Sequence, residues 1–156
     1  MPDTCNYISS ECRLAHRLFG FPPNLNAMSI ADLMLLEQAF ARYPSLRHIT
    51  ELGTSVGVTS LYLGMMARTR GGTFHSFDWI KRHAEVPEVV AGRLDNMVFV
   101  QTDILQSGGS REVIESISRP NNFVWFDNGN KIAEINTYLQ YMTKDSIMFT
   151  RTPNIP

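Results

Sequence analysis

The stretch that decides the fold is His48-Ile49-Thr50-Glu51-Leu52-Gly53-Thr54-Ser55-Val56-Gly57-Val58-Thr59-Ser60-Leu61-Tyr62-Leu63-Gly64. Its first half, with the preceding Arg47, is a short β-prone run, and its second half continues as the apolar helix SLYLGMMAR, ended by Gly71 and Gly72. Between them Gly53 and Gly57 let the backbone turn tightly and approach a ligand closely. The free N–H groups at the start of the following helix offer a site for an anionic group, a phosphate or a carboxylate. A glycine pair at a strand-to-helix turn is also compatible with a tight turn and nothing more.

Outward from this junction the chain alternates. Upstream, Ser29 caps a helix over IADLMLLEQAFARY, with Asp32 in its first turn and Ile30, Leu33, Leu36 and Phe40 on one face; Pro44 stops it. Downstream come the strand TFHSFD, a stretch PEVVAGRL with Pro87 at an early helical position, and the strand MVFVQTD. The helix SREVIESIS, the strand NFVWFD, the helix KIAEINTYLQYM and the strand SIMFT follow. Strands alternating with helices predict right-handed crossovers and an α/β architecture, a mainly parallel sheet with helices on both faces. Glu51, Asp78, Asp103 and Asp127 close, or nearly close, four of the five strands. Ligands of open parallel sheets bind beyond the carboxyl ends of the strands, so these four carboxylates are expected along one rim.

Composition agrees with one globular domain: 156 residues, 44% hydrophobic, 19% charged, net charge -1. The balance shows no excess of Lys and Arg, which argues against a nucleic-acid partner. No apolar run has the length of a membrane span, and the polar N-terminus does not read as a secretory leader. Cys5 and Cys12 are too few ligands for a structural zinc site and read as reduced thiols. A cytoplasmic protein is expected, with residues 1–28, which contain Pro22 and Pro23, as an N-terminal arm or lid and residues 29–156 as the ligand-binding domain.

Asp78 stands 25 residues after Gly53, close to the spacing of about 20 at which dinucleotide-binding folds place an acid on ribose hydroxyls. The G-x-G-x-x-G spacing expected of a pyrophosphate-binding loop is absent, which disfavours a nicotinamide dinucleotide.

The run Glu51-Leu-Gly53-Thr54-Ser55-Val-Gly57-Val-Thr59 resembles the E-h-G-T-x-x-G-x-S/T first motif (h apolar) of class I S-adenosylmethionine-dependent methyltransferases. It is most similar to the small-molecule O-methyltransferases and the cephalosporin-hydroxylase-like group, and the likeness extends from about Ser29 to Thr150. The resemblance implies a Rossmann-like domain, cut short after the fifth strand, that binds S-adenosylmethionine and methylates a small-molecule acceptor. It implies cofactor contacts from Glu51, Gly53, Thr54, Ser55, Gly57 and Thr59, from Asp78 on the ribose, and from Trp79 against the adenine. It further implies Asp103 near the adenine amino group, Ile104 lining the base, and Asp127 facing the methionine end and the acceptor.

Metal-dependent relatives pair the acid after the fourth strand with two ligands after the fifth, where this chain has TRTPNIP without a carboxylate, so no metal is expected. Asn128 and Asn130 stand where relatives carry groups able to act as acid or base. His83, in the loop after Asp78, is the one histidine expected near the rim, and with Asp127 it is the candidate catalytic group. His75 reads as structural and His48 as a surface residue before the first strand. A missing base leaves open a non-catalytic cofactor-binding or assembly subunit derived from a methyltransferase. The apolar fifth strand, next to the end of the sequence, is expected to be covered by a second copy of the chain, a homodimer, or by the N-terminal arm.

Overall fold

In the computed structural model the described residues are 30–54, 57–79 and 95–150. They form α1 (Ile30–Arg42), β1 (His48–Leu52), α2 (Val58–Thr69), β2 (Phe74–Asp78), β3 (Met97–Gln101), α3 (Arg111–Ile117), β4 (Asn122–Phe126), α4 (Lys131–Tyr138) and β5 (Ile147–Thr150). All pairings are parallel and the strand order is β3-β2-β1-β4-β5. The order reverses between β1 and β4, which makes the carboxyl ends of those two strands the switch point where such sheets bind ligands. The expected arm, Ser29 as a cap, the segment around Pro87, Ser55, His83 and the C-terminal TRTPNIP lie outside the described residues.

Strand side chains alternate between the faces, and each face has its own core. Ile49, Phe74, Phe123 and Trp125 pack with Leu36 and Phe40 of α1 and Leu61, Leu63 and Met66 of α2. Leu52, Phe77, Val124 and Phe126 pack with Val113 and Ile117 of α3 and Tyr138 of α4. The inner strands β1 and β4 are almost wholly buried; β4 accordingly reads as a near-continuous apolar run, whereas β1 takes the polar Thr50 and Glu51 into the interior.

Two elements differ from expectation. The last helix ends at Tyr138, and Leu139–Tyr141 tightens into a single 3-10 turn. There Tyr138 is fully buried, and its hydroxyl accepts the Ser110 N–H at 2.9 Å and donates to the Ile104 carbonyl. His48 is the first residue of β1 and half-buried, its Nδ1 2.9 Å from Thr73 Oγ1, not a surface residue ahead of the strand.

Candidate functional site

At the switch point the β1–α2 loop meets the β4–α4 loop. Asp127 N–H donates to the Leu52 carbonyl and Gly53 N–H to the Phe77 carbonyl, at 2.9 and 2.8 Å, so the ends of β4, β1 and β2 are laced together. Gly53 has φ +103, and a Cβ on it would lie 2.8 Å from Asn128 N and 2.9 Å from Asp127 C. Only glycine tolerates both that backbone and that approach. The sequence ascribes this glycine to the ligand's approach, whereas the neighbour that fills the space is the β4–α4 backbone.

Gly57 caps α2 in the left-handed conformation (φ 79, ψ 7) and offers no side chain to the first-turn N–H groups. α2 therefore begins with uncapped donors and the positive end of its dipole at the rim. Thr59 is buried, and Thr54 turns inward, its Oγ1 2.7 Å from Ser76 Oγ. The Thr54 N–H donates to Asp78 Oδ2 at 3.0 Å, which ties the loop to the end of β2. Beyond Asp78, Trp79 is 61% exposed.

Glu51 departs most from its expected role. Rather than lying open along the rim, it is fully buried within β1, where Oε2 accepts hydrogen bonds from Ser60 and Ser76, each at 2.5 Å. Ser76 is its register partner on β2, and Ser60 lies in the first turn of α2. Oε1 has no hydrogen-bond partner. Burial pushes its pKa up to about 8 against the two serine hydrogen bonds, and the nearby Asp127 and Asp78 raise it further. At neutral pH this side chain is mostly the neutral acid, not a carboxylate ready for a cation. Its register partner on β4, Trp125, is also fully buried with an unpartnered Nε1.

The other expected residues separate. Asp103 lies past the end of β3, exposed, with Oδ1 accepting the Leu105 N–H at 3.0 Å. Ile104 is 1% exposed and belongs to the core beneath α3 and α4, so its side chain leaves no surface for a base to lie on. Asp127 follows β4 directly, on the same face as Glu51 and Asp78, with Lys131 Nζ 3.6 Å from its Oδ1. Asn130 caps α4 through a hydrogen bond from the Ala133 N–H at 3.3 Å.

Four contributors were not read from the sequence: Ser60, Ser76, Lys131 and Glu134. Lys131, one helical turn past Asp127, was detectable by spacing. Glu134, in the first turn of α4, is fully buried with neither oxygen hydrogen-bonded. Burial pushes its pKa up to about 7 despite the attraction of Lys131.

The parallel order β3-β2-β1-β4-β5, the glycine-flanked β1–α2 loop and the acid ending β2 together define the fold of the class I S-adenosylmethionine-dependent methyltransferases. Among solved structures, the chain is similar to an O-methyltransferase from Bacillus cereus in complex with SAH (TM-score 0.65, 17% identity, 91% of this chain and 66% of that one). It is similar to the O-methyltransferase TomG from Streptomyces achromogenes, involved in tomaymycin synthesis and solved with SAM (TM-score 0.62, 18% identity, 96% and 74%). SAH-bound PaMTH1 from Podospora anserina gives a TM-score of 0.62 at 11% identity over 96% of this chain and 62% of that one. The chain thus spans 62% to 74% of the length of these three proteins. At these identities the likeness is one of fold. No protein-family model and no curated protein matches the sequence.

Proposed function

We propose that this chain binds S-adenosylmethionine at the carboxyl ends of β1, β2 and β4 and transfers its methyl group to a small-molecule acceptor. The observation that carries the reading is the bond from Thr54 N–H to Asp78, which brings the glycine-flanked loop, the uncapped start of α2 and the β2 acid to one place. The residues present fit the cofactor. Donors at the start of α2 suit a carboxylate, Asp78 suits a vicinal diol, and the exposed Trp79 indole suits the face of a base.

Bound, the cofactor supplies an electrophilic methyl group. The chain's part is then to position the acceptor, which can provide much of the acceleration of an in-line transfer. Asp127, half-buried and held by Lys131, is the polar pair facing that space from β4 and α4. It can orient an acceptor hydroxyl or amine by hydrogen bonding. No described helix is long and apolar enough to cross a membrane.

The test is calorimetric titration with S-adenosylmethionine, S-adenosylhomocysteine and NAD, on the wild type and on Asp78→Ala. Binding of the first two alone is expected, weakened in the folded variant by about 1.5–3 kcal/mol, the scale of hydrogen bonds to a charged group. NAD binding, or a variant with unchanged affinity, would sink the assignment. Binding without turnover over a broad acceptor panel would instead identify a non-catalytic subunit.

A further inference from the structure

The opposite end of the sheet holds a cluster that the methyl-transfer reading does not use. His48 opens β1, Thr73 precedes β2, His75 is the second residue of β2, and Arg119 comes from the loop between α3 and β4. Arg119 Nη1 donates to Thr73 Oγ1 at 3.0 Å and lies 3.3 Å from His75 Nε2; Thr73 Oγ1 is 2.9 Å from His48 Nδ1. All four side chains are half-buried.

A guanidinium only donates, so His75 Nε2 accepts from it and the ring's proton sits on Nδ1. Thr73 Oγ1 accepts from Arg119 as well and lies within hydrogen-bond distance of His48 Nδ1, where either atom can be the donor. Beyond these bonds, His75 Nδ1–H and Arg119 Nε and Nη2 are left as donors at the same end of the sheet.

The charge is equally one-sided. None of the ion pairs among the described residues involves Arg119. Burial lowers the His48 pKa, and the positive charges of Arg119 and then Arg47 lower it further. Burial and then Arg119 and His48 push His75 down to about 4. Both rings are held neutral beside a half-buried cation for which the described residues supply no ion-pair partner.

We propose that this end of the sheet is a second ligand site, for a small tetrahedral oxyanion such as phosphate, framed by His48, Thr73, His75 and Arg119. An acceptor-only ligand is the chemistry that neighbouring donors beside a guanidinium cation recognise. The site stands on the opposite side of the sheet's strands from the methyl-transfer rim and does not depend on that reading.

The experiment is titration of protein 15N-labelled at histidine with inorganic phosphate at pH 7 and constant ionic strength, with sodium chloride as the reference salt. Saturable shifts of the His48 and His75 ring nitrogens with phosphate are expected, and none with chloride. Arg119→Gln should weaken phosphate binding about tenfold or more, equivalent to about 1.4 kcal/mol. Shifts that never saturate, that chloride reproduces, or that the folded Arg119→Gln variant retains in full would mean an adventitious ion only and overturn the proposal. Should that variant fail to fold, the phosphate-against-chloride comparison on the wild type decides alone. A parallel titration with methyl phosphate separates a phosphomonoester ligand from free phosphate.

Discussion

Gly53 is held by two constraints at once, a left-handed backbone and a space already taken by Asp127 and Asn128. Gly53→Val pushes the β1–α2 loop away from the β4–α4 loop, and the two sides of the switch point part. The expected outcome is loss of S-adenosylmethionine binding together with a lowered melting temperature. A variant that loses binding at unchanged stability would place the side chain against the ligand alone. Glu51 carries the opposite lesson, because its chemistry is set by what surrounds it. The same residue type on an exposed rim would be a carboxylate; buried against Ser60 and Ser76 with Asp78 and Asp127 nearby, it keeps its proton.

Among the elements, α4 shows how one side chain fixes three segments. Tyr138 projects from its last turn to the Ser110 N–H at the start of α3 and to the Ile104 carbonyl after β3. Tyr138→Phe keeps the ring and leaves a buried donor and a buried acceptor unmet. A cost of about 1–3 kcal/mol is expected in denaturant unfolding. A loss near zero would show that the loop around Ile104 relaxes and finds other partners. The other face, by contrast, is joined by ring contacts among Phe123, Trp125 and Phe149, with Trp125 and Phe149 stacked at 4.8 Å between centroids and 8° between planes.

For the molecule as a whole, the buried titratable groups set opposing pH limbs. A glutamate of ordinary pKa near 4.5 that titrates near 8 when folded retains a proton that unfolding releases, so Glu51 lowers stability as pH rises across that window and levels off above it. Glu134, pushed up to about 7, acts in the same direction. His75 acts in the reverse sense: its ordinary pKa is 6.5 and its folded pKa about 4, so unfolding takes up a proton and stability falls as pH drops through that range. Glu51→Gln should therefore flatten the loss of stability between pH 5 and 8 by up to about 1.4 kcal/mol per pH unit, with the Glu134 part of the slope remaining. Melting curves across that range on the wild type and the variant measure it, and parallel curves would show that Glu51 ionises normally.

The sequence by itself determined the alternation of strands and helices, the glycine-flanked loop after β1 and the positions of Asp78 and Asp127, because each is a local property of turn chemistry and hydrophobic period. It also placed the last helix and strand, missing only the 3-10 tightening at Leu139. Only the tertiary structure decided the register, and with it which side chains meet. Glu51 beside Ser76 and Trp125, Gly53 against Asn128, and Arg119 between Thr73 and His75 all join residues far apart in the chain. Burial, and hence protonation, follows from those long-range neighbours, so Glu51 reads as a rim carboxylate in one dimension and becomes a buried acid in three.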